Sequence, residues 1–292
     1  MKIAIAIATA SRREVLSDTV RHLARQIRPA DELLVCPARP SDLDPACLDA
    51  FPSPTRVVSG PIGLPAQRNA LVDATDADVV VFFDDDFLAA ADFLAQTEAQ
   101  FIARPEVVVA TDELVADGNL SPRVSHEEGL RVLSRSTPSQ AVPVLTPTFN
   151  GYGCNMAIRM APVRRHRMRF DERLPLYGWL EDVDFSRQLA PHGRIVKWTA
   201  LRGVHLGTKR SGRSPGKQLG YSQVANRIYI SRKGHMTPLQ AAHGNLRNIA
   251  ANLVRSLRPE PWVDRRGRLE GNVLALWDWL RGRVDPERIL RF

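Results

Sequence analysis

Apolar positions along the chain follow two periods. Ile3–Ala8, Leu33–Cys36, Thr55–Ser59, Val79–Phe83, Val107–Thr111 and Met156–Arg159 are short runs of alternating or β-branched residues, and they predict strands. Between them, helical spacing predicts helices over Glu14–Ile27 (through Val15, Val20, Leu23, Ala24 and Ile27), Ala66–Ala74 and Ala90–Ala103. Pro29 ends the first helix and Gly60-Pro61-Ile62-Gly63 is a turn that opens the second. Strands alternating with helices predict an α/β fold with a mostly parallel central sheet flanked by helices. Val79–Phe83 is apolar at every position, as a strand buried on both faces requires, and it runs straight into Asp84-Asp85-Asp86. The carboxyl ends of such strands are where open α/β sheets bind ligands.

The second half is less regular. Residues 112–150, with Asp117-Gly118-Asn119 and Ser121-Pro122, read as a long functional loop. Gly151 and Gly153 precede a strand and permit either close backbone approach to a ligand or a bulge. Leu180, Val183 and Leu189 share a helix face, so Glu181, Asp182 and Asp184 fall in a first turn, where acids suit the helix dipole. One of these acids facing a cleft would serve as a base. Tyr177 and Trp179 before them read as a sugar-stacking platform or as core. Arg194–Trp198 and Leu201–His205 predict two closing strands. The basic segment Gly207–Lys217, with Lys209, Arg210 and Arg213, reads as a lid over a diphosphate or as a linker. The chain is then helical, with Leu239, Ala242, Leu246, Ile249, Leu253 and Leu257 at helical spacing, and a second piece at Val273–Leu280 carrying Trp277 and Trp279. Packing on the preceding domain is the commoner fate of such faces; basic flanks with tryptophans also suit a membrane surface. The expected division is 1–215 and a helical C-terminal extension, 216–292.

Charge and cysteines narrow the classes. The net charge of +8 suits anionic partners such as nucleotides, phosphorylated lipids or an acidic membrane face. No nucleic acid is expected, because the arginines are not clustered with interleaved aromatics. Cys36, Cys47 and Cys154 lack metal spacing and read as buried thiols in a reducing compartment. No stretch approaches the ~18 apolar residues of a membrane span. Lys2 and the Ile/Ala run behind it loosely mimic a signal peptide, but the alternation favours a first strand and a cytoplasmic location. Three adjacent carboxylates repel one another, so Asp84–Asp86 calls for a divalent cation of the Mg²⁺ or Mn²⁺ type, shared with phosphate oxygens, or else for full solvation as an acidic turn. Arg68, at a helix start, is a candidate anion contact.

Taken in order, the acid triplet at a strand end, the Glu-Asp-x-Asp helix start about 95 residues on, the later His205 and the basic segment resemble the family 2 glycosyltransferases of GT-A fold, over roughly residues 3–210. The resemblance implies an inverting, metal-assisted hexosyltransferase using a UDP, GDP or dTDP sugar. It implies a glycan or lipid-linked glycan acceptor, in polysaccharide biosynthesis, while the basic C-terminal tail would allow peripheral contact at the inner face of the plasma membrane. It gives Thr9, Arg68, Asn69, Asp84 and Asp85 to the donor and Asp86 with His205 to the metal. Asp182 becomes the catalytic base, and Gly153, Asn155, Trp179 and Glu181 lie near the sugar. The chain departs from the family pattern after strand two. Leu34–Arg39 holds no acid to contact the base, and Asp42 and Asp44 are the nearest substitutes.

Two rival readings come from other classes. A sugar-nucleotidyltransferase would need a Gly-rich phosphate loop after strand one, and Thr9-Ala10-Ser11-Arg12-Arg13 has no glycine. A polyanion-binding module would account for the charge but gives no reason for three acids at a strand end.

Overall fold

A computed structural model of the chain describes residues 1–119, 124–136, 143–208 and 215–292. Nine strands form one sheet: β1 (Ile3–Thr9), β2 (Glu32–Pro37), β3 (Thr55–Val57), β4 (Val79–Asp84), β5 (Phe87–Ala89), β6 (Val107–Asp117), β7 (Leu145–Pro147), β8 (Asn155–Arg159) and β9 (Arg194–His205). Nine α-helices accompany them among the described residues: α1 (Arg13–Leu23), α2 (Leu64–Asp73), α3 (Phe93–Ala103), α4 (His126–Arg135), α5 (Met160–Arg165), α6 (Glu181–Leu189), α7 (Gly216–Arg232), α8 (Pro238–Ser256) and α9 (Arg265–Leu280). The strand order is β3-β2-β1-β4-β8-β6-β9-β5, with β7 also on β9. Six strands run one way, and β5, β7 and β8 oppose them, so the predicted mostly parallel α/β sheet is what forms.

The alternation in β1 and the continuous run in β4 have a single cause: both faces of the sheet are covered. Ile3, Ile5, Ile7, Val79, Val81 and Phe83 enter one core; Ala4, Ala6, Val80 and Phe82 enter the other. The small alanines of β1 leave room for Phe82 and Phe170, which meet edge to face. β1 is thus a central strand of the sheet.

Several boundaries differ from the sequence pattern. α1 stops at Leu23, because Gln26 and Ile27 turn to bond Ala90 O and Ala91 O; Ile27 is left exposed. β5, only three residues long, carries no periodicity of its own and is defined by pairing with β9. The two closing strands are one: β9 runs through Thr199 and Ala200 and absorbs the irregularity as a register shift against β6 at Asp112/Glu113. The expected long loop contains the extended end of β6, the Ser125-capped helix α4 and β7.

The C-terminal helices pack on one another through Tyr221, Val224, Ala225 and Ala275, with Leu176 of the preceding part against them. An ion-pair latch holds them to α6. Lys233 Nζ donates to Asp184 Oδ2 (2.7 Å) and Asp171 Oδ2 (2.6 Å), Tyr229 Oη donates to Asp171 Oδ2 (2.8 Å), and His235 Nδ1 sits 2.8 Å from Asp184 Oδ1. Asp184 is fully buried, so its charge depends on these partners. Lys233→Ala is expected to lower the unfolding free energy by about 3 kcal/mol, read from urea denaturation, because it takes the ammonium from two carboxylates, one of them fully buried. A loss below about 0.5 kcal/mol, the scale of an exposed ion pair, would show the latch to be superficial.

Candidate active site

Strand register builds the site. Ala8 pairs with Asp84, so the end of β4 lies beside the end of β1. Phe87 pairs with His205, and Asp117 also pairs with His205 from the other side. Three strand ends distant in sequence therefore converge on the acid triplet.

Each acid of the triplet meets a different environment. Asp85 is buried, and both its oxygens are taken: Thr9 Oγ1 donates to Oδ2 (2.6 Å) and Arg12 Nη1 to Oδ1 (2.8 Å). Asp86 is also buried; Thr208 N donates to its Oδ2 (2.7 Å), and Arg12 Nη1 lies 3.3 Å from the same oxygen. Its Oδ1 has no hydrogen-bond partner among the described residues, and His205 Nε2 stands 3.3 Å away. Asp84 is partly exposed and receives Arg68 Nη2 at 3.3 Å. Burial pushes the Asp85 carboxyl up to about 6, a rise that Arg12 opposes and the Asp86 charge reinforces. Burial acts on Asp86 too, but His205, Arg12 and the Thr208 amide outweigh it and hold Asp86 well below the usual carboxylate range.

Burial disfavours the His205 imidazolium, yet Asp117 and Asp86 overcome that and push its pKa up to about 10. Nδ1 lies 3.0 Å from Asp117 Oδ1, which fixes the ring with Nε2 facing Asp86 and Asp84. One ligand atom each from Asp84, Asp86 and His205 lies within 4.8 Å of the others, close enough to hold a metal ion. Two carboxylates and a neutral imidazole suit Mn²⁺ or Mg²⁺; such an ion would take the place of the His205 Nε2 proton, and Asp86 Oδ1, which accepts no hydrogen bond among the described residues, would offer it a lone pair.

The second acid group lies at the start of α6. The loop before it is tightly wound: Leu176, Gly178 and Leu180 all have positive φ, of 60°, 62° and 70°. Leu64 N and Asn226 Nδ2 tie it down at Leu176 O and Trp179 O, both at 2.8 Å. Asp182 is oriented by two amides, Gly153 N to Oδ2 (3.0 Å) and Val183 N to Oδ1 (2.8 Å). Burial raises its pKa, and those two amides oppose the rise. Glu181 is buried against Arg68, and burial, only partly countered by Arg68, pushes it up to about 8. Arg68, itself buried, is stacked near Phe82 and Phe170 and also donates to Gly153 O (2.6 Å). A Cβ on Gly153 would stand 3.3 Å from Glu181 Oε1 and 3.4 Å from Arg68 Nη1. This glycine thus makes room for the protein's own ion pair.

Two cavities adjoin and share Asp84, Leu64 and Tyr177. One, of ≈ 430 Å³, is lined by Thr9, Arg12, Gly63, Gln67, Asp85, Leu176 and Gln218 among others. The other, of ≈ 650 Å³, has Asp84 and His205 together with Trp179, Glu181 and Asp182 in its walls, and Arg255, Trp262 and Arg268 from the C-terminal part.

The expected residues divide accordingly. Thr9, Arg68, Asp84, Asp85, Gly153, Trp179, Glu181, Asp182 and His205 line one or both cavities, and Asp86 lies beneath them. Asn69 and Asn155 are absent from both linings. Asn69 clasps Phe170 through its backbone and Glu172, while Asn155 is buried among Thr111, Asp112 and Cys154. Asp42 and Asp44 cap short 3₁₀ turns and line neither cavity. Lys209, Arg210 and Arg213 lie outside the described residues. Sequence reasoning missed Arg12, Gln67, Asp117, Asn119 and Tyr152. Gln67 bonds Thr9 O (3.0 Å) and Cys36 O (2.7 Å), bridging β1 and β2, and Tyr152 bonds Asp117 Oδ2 (3.2 Å). A polar residue in the turn after a first strand was the one available signal for Arg12.

Comparison with known proteins places this geometry. Residues 4–167 match the family model described as Glycosyl transferase family 2. Among solved structures, S. aureus TarS 1–349 in complex with UDP-GlcNAc is similar at TM-score 0.58 and 14% identity, over 99% of this chain and 83% of that one. The mannosyltransferase PcManGT from Pyrobaculum calidifontis, in complex with GDP-Man and Mn²⁺, is similar at TM-score 0.55 and 16% identity, over 99% and 85%. In the longer S. aureus TarS crystal structure the match spans 46% of that chain and 89% of this one, at TM-score 0.53 and 15% identity. No curated protein matches the sequence. At these identities the structural likeness shows the fold.

Arg68 neutralises an acid from each half of the site. Arg68→Ala is expected to cost about 3 kcal/mol of stability in chemical denaturation at neutral pH. Replacing both partners, Arg68→Met with Glu181→Leu, should restore most of it, since no buried charge is then left alone. A single variant as stable as wild type would contradict this.

Proposed function

Because the chain belongs to glycosyl transferase family 2, we propose that this glycosyltransferase moves a sugar from a nucleoside diphosphate donor to a hydroxyl of a glycan or lipid-linked glycan, with inversion at the anomeric carbon. The observation that carries the reading is the ≈ 650 Å³ cavity that has Asp84 and His205 in its walls together with Asp182.

The ≈ 430 Å³ cavity, with the apolar Leu64 and Leu176 and the Tyr177 ring, suits the nucleoside. Asp84, shared by both cavities, then stands at the diphosphate. Asp84, Asp86 and His205 would hold Mn²⁺ or Mg²⁺, which, when bound, supplies Lewis-acid neutralisation of the leaving diphosphate. The complexes of the structural neighbours with UDP-GlcNAc, and with GDP-Man and Mn²⁺, support this placement. Trp179 and Tyr177 offer ring surface to the sugars.

Asp182 accepts the proton of the acceptor hydroxyl as that oxygen attacks the anomeric carbon. The bond from that carbon to the diphosphate oxygen breaks, and its electron pair leaves with the nucleoside diphosphate. Attack from the face opposite the leaving group inverts the configuration. The Gly153 and Val183 amides each use one lone pair of Asp182, which leaves a lone pair on either oxygen for the proton. A carboxylate with a raised pKa is a stronger base, which suits the role.

Asp182→Asn is expected to lower transfer by about 10³-fold while leaving nucleotide binding intact. The base works only when ionised, so activity must fall as pH drops through its pKa. Since burial raises that pKa, the acid limb of kcat/KM should lie above the ordinary aspartate value. A profile flat down to that value, or an active Asp182→Asn enzyme, would refute the assignment of Asp182.

A further inference from the structure

α8 is built inside out. The face turned to the protein carries Asn245 and Asn252, and Asn252 bonds Gln223, Asn272 and Arg265. The face turned to solvent carries Leu239, Leu246, Leu253 and Leu257, which are 79%, 67%, 55% and 82% exposed. Leucines seven residues apart fall on one stripe of a helix, so these form a continuous apolar ridge. His243, Arg247 and Arg258 are exposed along one flank of the ridge. On α9, Val273, Trp277 and Leu280 are exposed too. They line an apolar groove of ≈ 760 Å³ that Ser256, in the last turn of α8, also borders, with Lys217, its ion-pair partner Glu270 and Arg266 in its walls.

Charge identifies what covers this surface. Residues 216–292 hold 14 Lys and Arg against 6 Asp and Glu, whereas residues 1–215 balance at 26 of each, so the whole net charge of +8 resides in the C-terminal part. No acid occurs in Pro238–Ser256. A second copy laid along α8 would set arginine against arginine with no carboxylate in Pro238–Ser256 of either copy to pair them. A phospholipid surface with anionic head groups offers both hydrocarbon for the leucines and phosphate for the arginines.

We propose that the outer face of α8, continued by the Trp277 side of α9, docks this protein on an anionic lipid bilayer, with Leu239, Leu246, Leu253 and Leu257 inserted at the head-group boundary. No helix among the described residues is long and apolar enough to cross a membrane, so the chain lies on the surface. Arg255, two residues from both Leu253 and Leu257 and so on the opposite side of α8 from the ridge, lines the cavity that holds Asp182, so α8 stands between that cavity and the docked face.

The test is flotation of the full chain with vesicles of phosphatidylcholine, with and without phosphatidylglycerol, without donor or acceptor, so its outcome is independent of the transfer reaction. Binding is expected only with phosphatidylglycerol and is weakened by salt. Leu246→Glu with Leu253→Glu should reduce it by more than about tenfold at unchanged melting temperature, and Arg247→Ala by about fivefold. Absence of binding to anionic vesicles would overturn the proposal, as would equal binding by the double variant. A dimer in sedimentation that the same leucine changes dissociate, with no vesicle binding, would assign the ridge to a second copy instead.

Discussion

Three consecutive carboxylates at the end of a doubly buried strand constrain the rest of this molecule. Val79–Phe83 has no freedom to move, since both of its faces are packed. β4 ends at Asp84 and Asp85-Asp86 make the turn into β5, so the three side chains leave the backbone in different directions. The fold gives each acid a different neighbour. Asp85 is closed off by Thr9 and Arg12, Asp86 lies beneath His205, and Asp84 faces the cleft beside Arg68. Mutual repulsion is thereby divided among partners from the turn before α1, from β9 and from α2.

The same arrangement ties the two acid groups of the site together. Arg68 reaches Asp84 with one nitrogen and Glu181 with the other, so the acids at the end of β4 and those at the start of α6 share one buried guanidinium. Its planar fork allows this, where a lysine could supply only a point charge. The start of α6 is fixed in turn by the left-handed turn through Leu180 and by the Asp184 latch to Lys233 and His235. The C-terminal helices therefore complete a cavity wall and brace the helix that carries Asp182.

Much of this was legible in the chain because it is local. A continuous apolar strand ending in acids, an acidic helix start after aromatics, and a histidine closing a strand each show in a few adjacent residues. What could not be read depends on register. Asp117 joins His205 only because β6 and β9 pair in parallel across a bulge, and β5 exists only as a partner of β9. Nothing local to Arg12 beyond its place in the turn after β1 marks its role, and it is the fold that sets it on Asp85 and Asp86. Asn69 and Asn155 illustrate the converse: their neighbours in sequence line the site, but their amides satisfy buried backbone and carboxylate groups behind it. The exposed leucines of α8 have the spacing of an ordinary packed helix. Only the structure shows which way that face turns.

The central claim is that Asp84, Asp86 and His205 form a metal-dependent site for a nucleoside diphosphate. Calorimetric titration with UDP, GDP and dTDP, in Mn²⁺ and in EDTA, for wild type and Asp86→Ala, tests it most directly. The account predicts that one diphosphate binds in Mn²⁺ and that EDTA or Asp86→Ala abolishes its binding. Binding that ignores both the metal and the substitution, or no binding of any of the three, would contradict it.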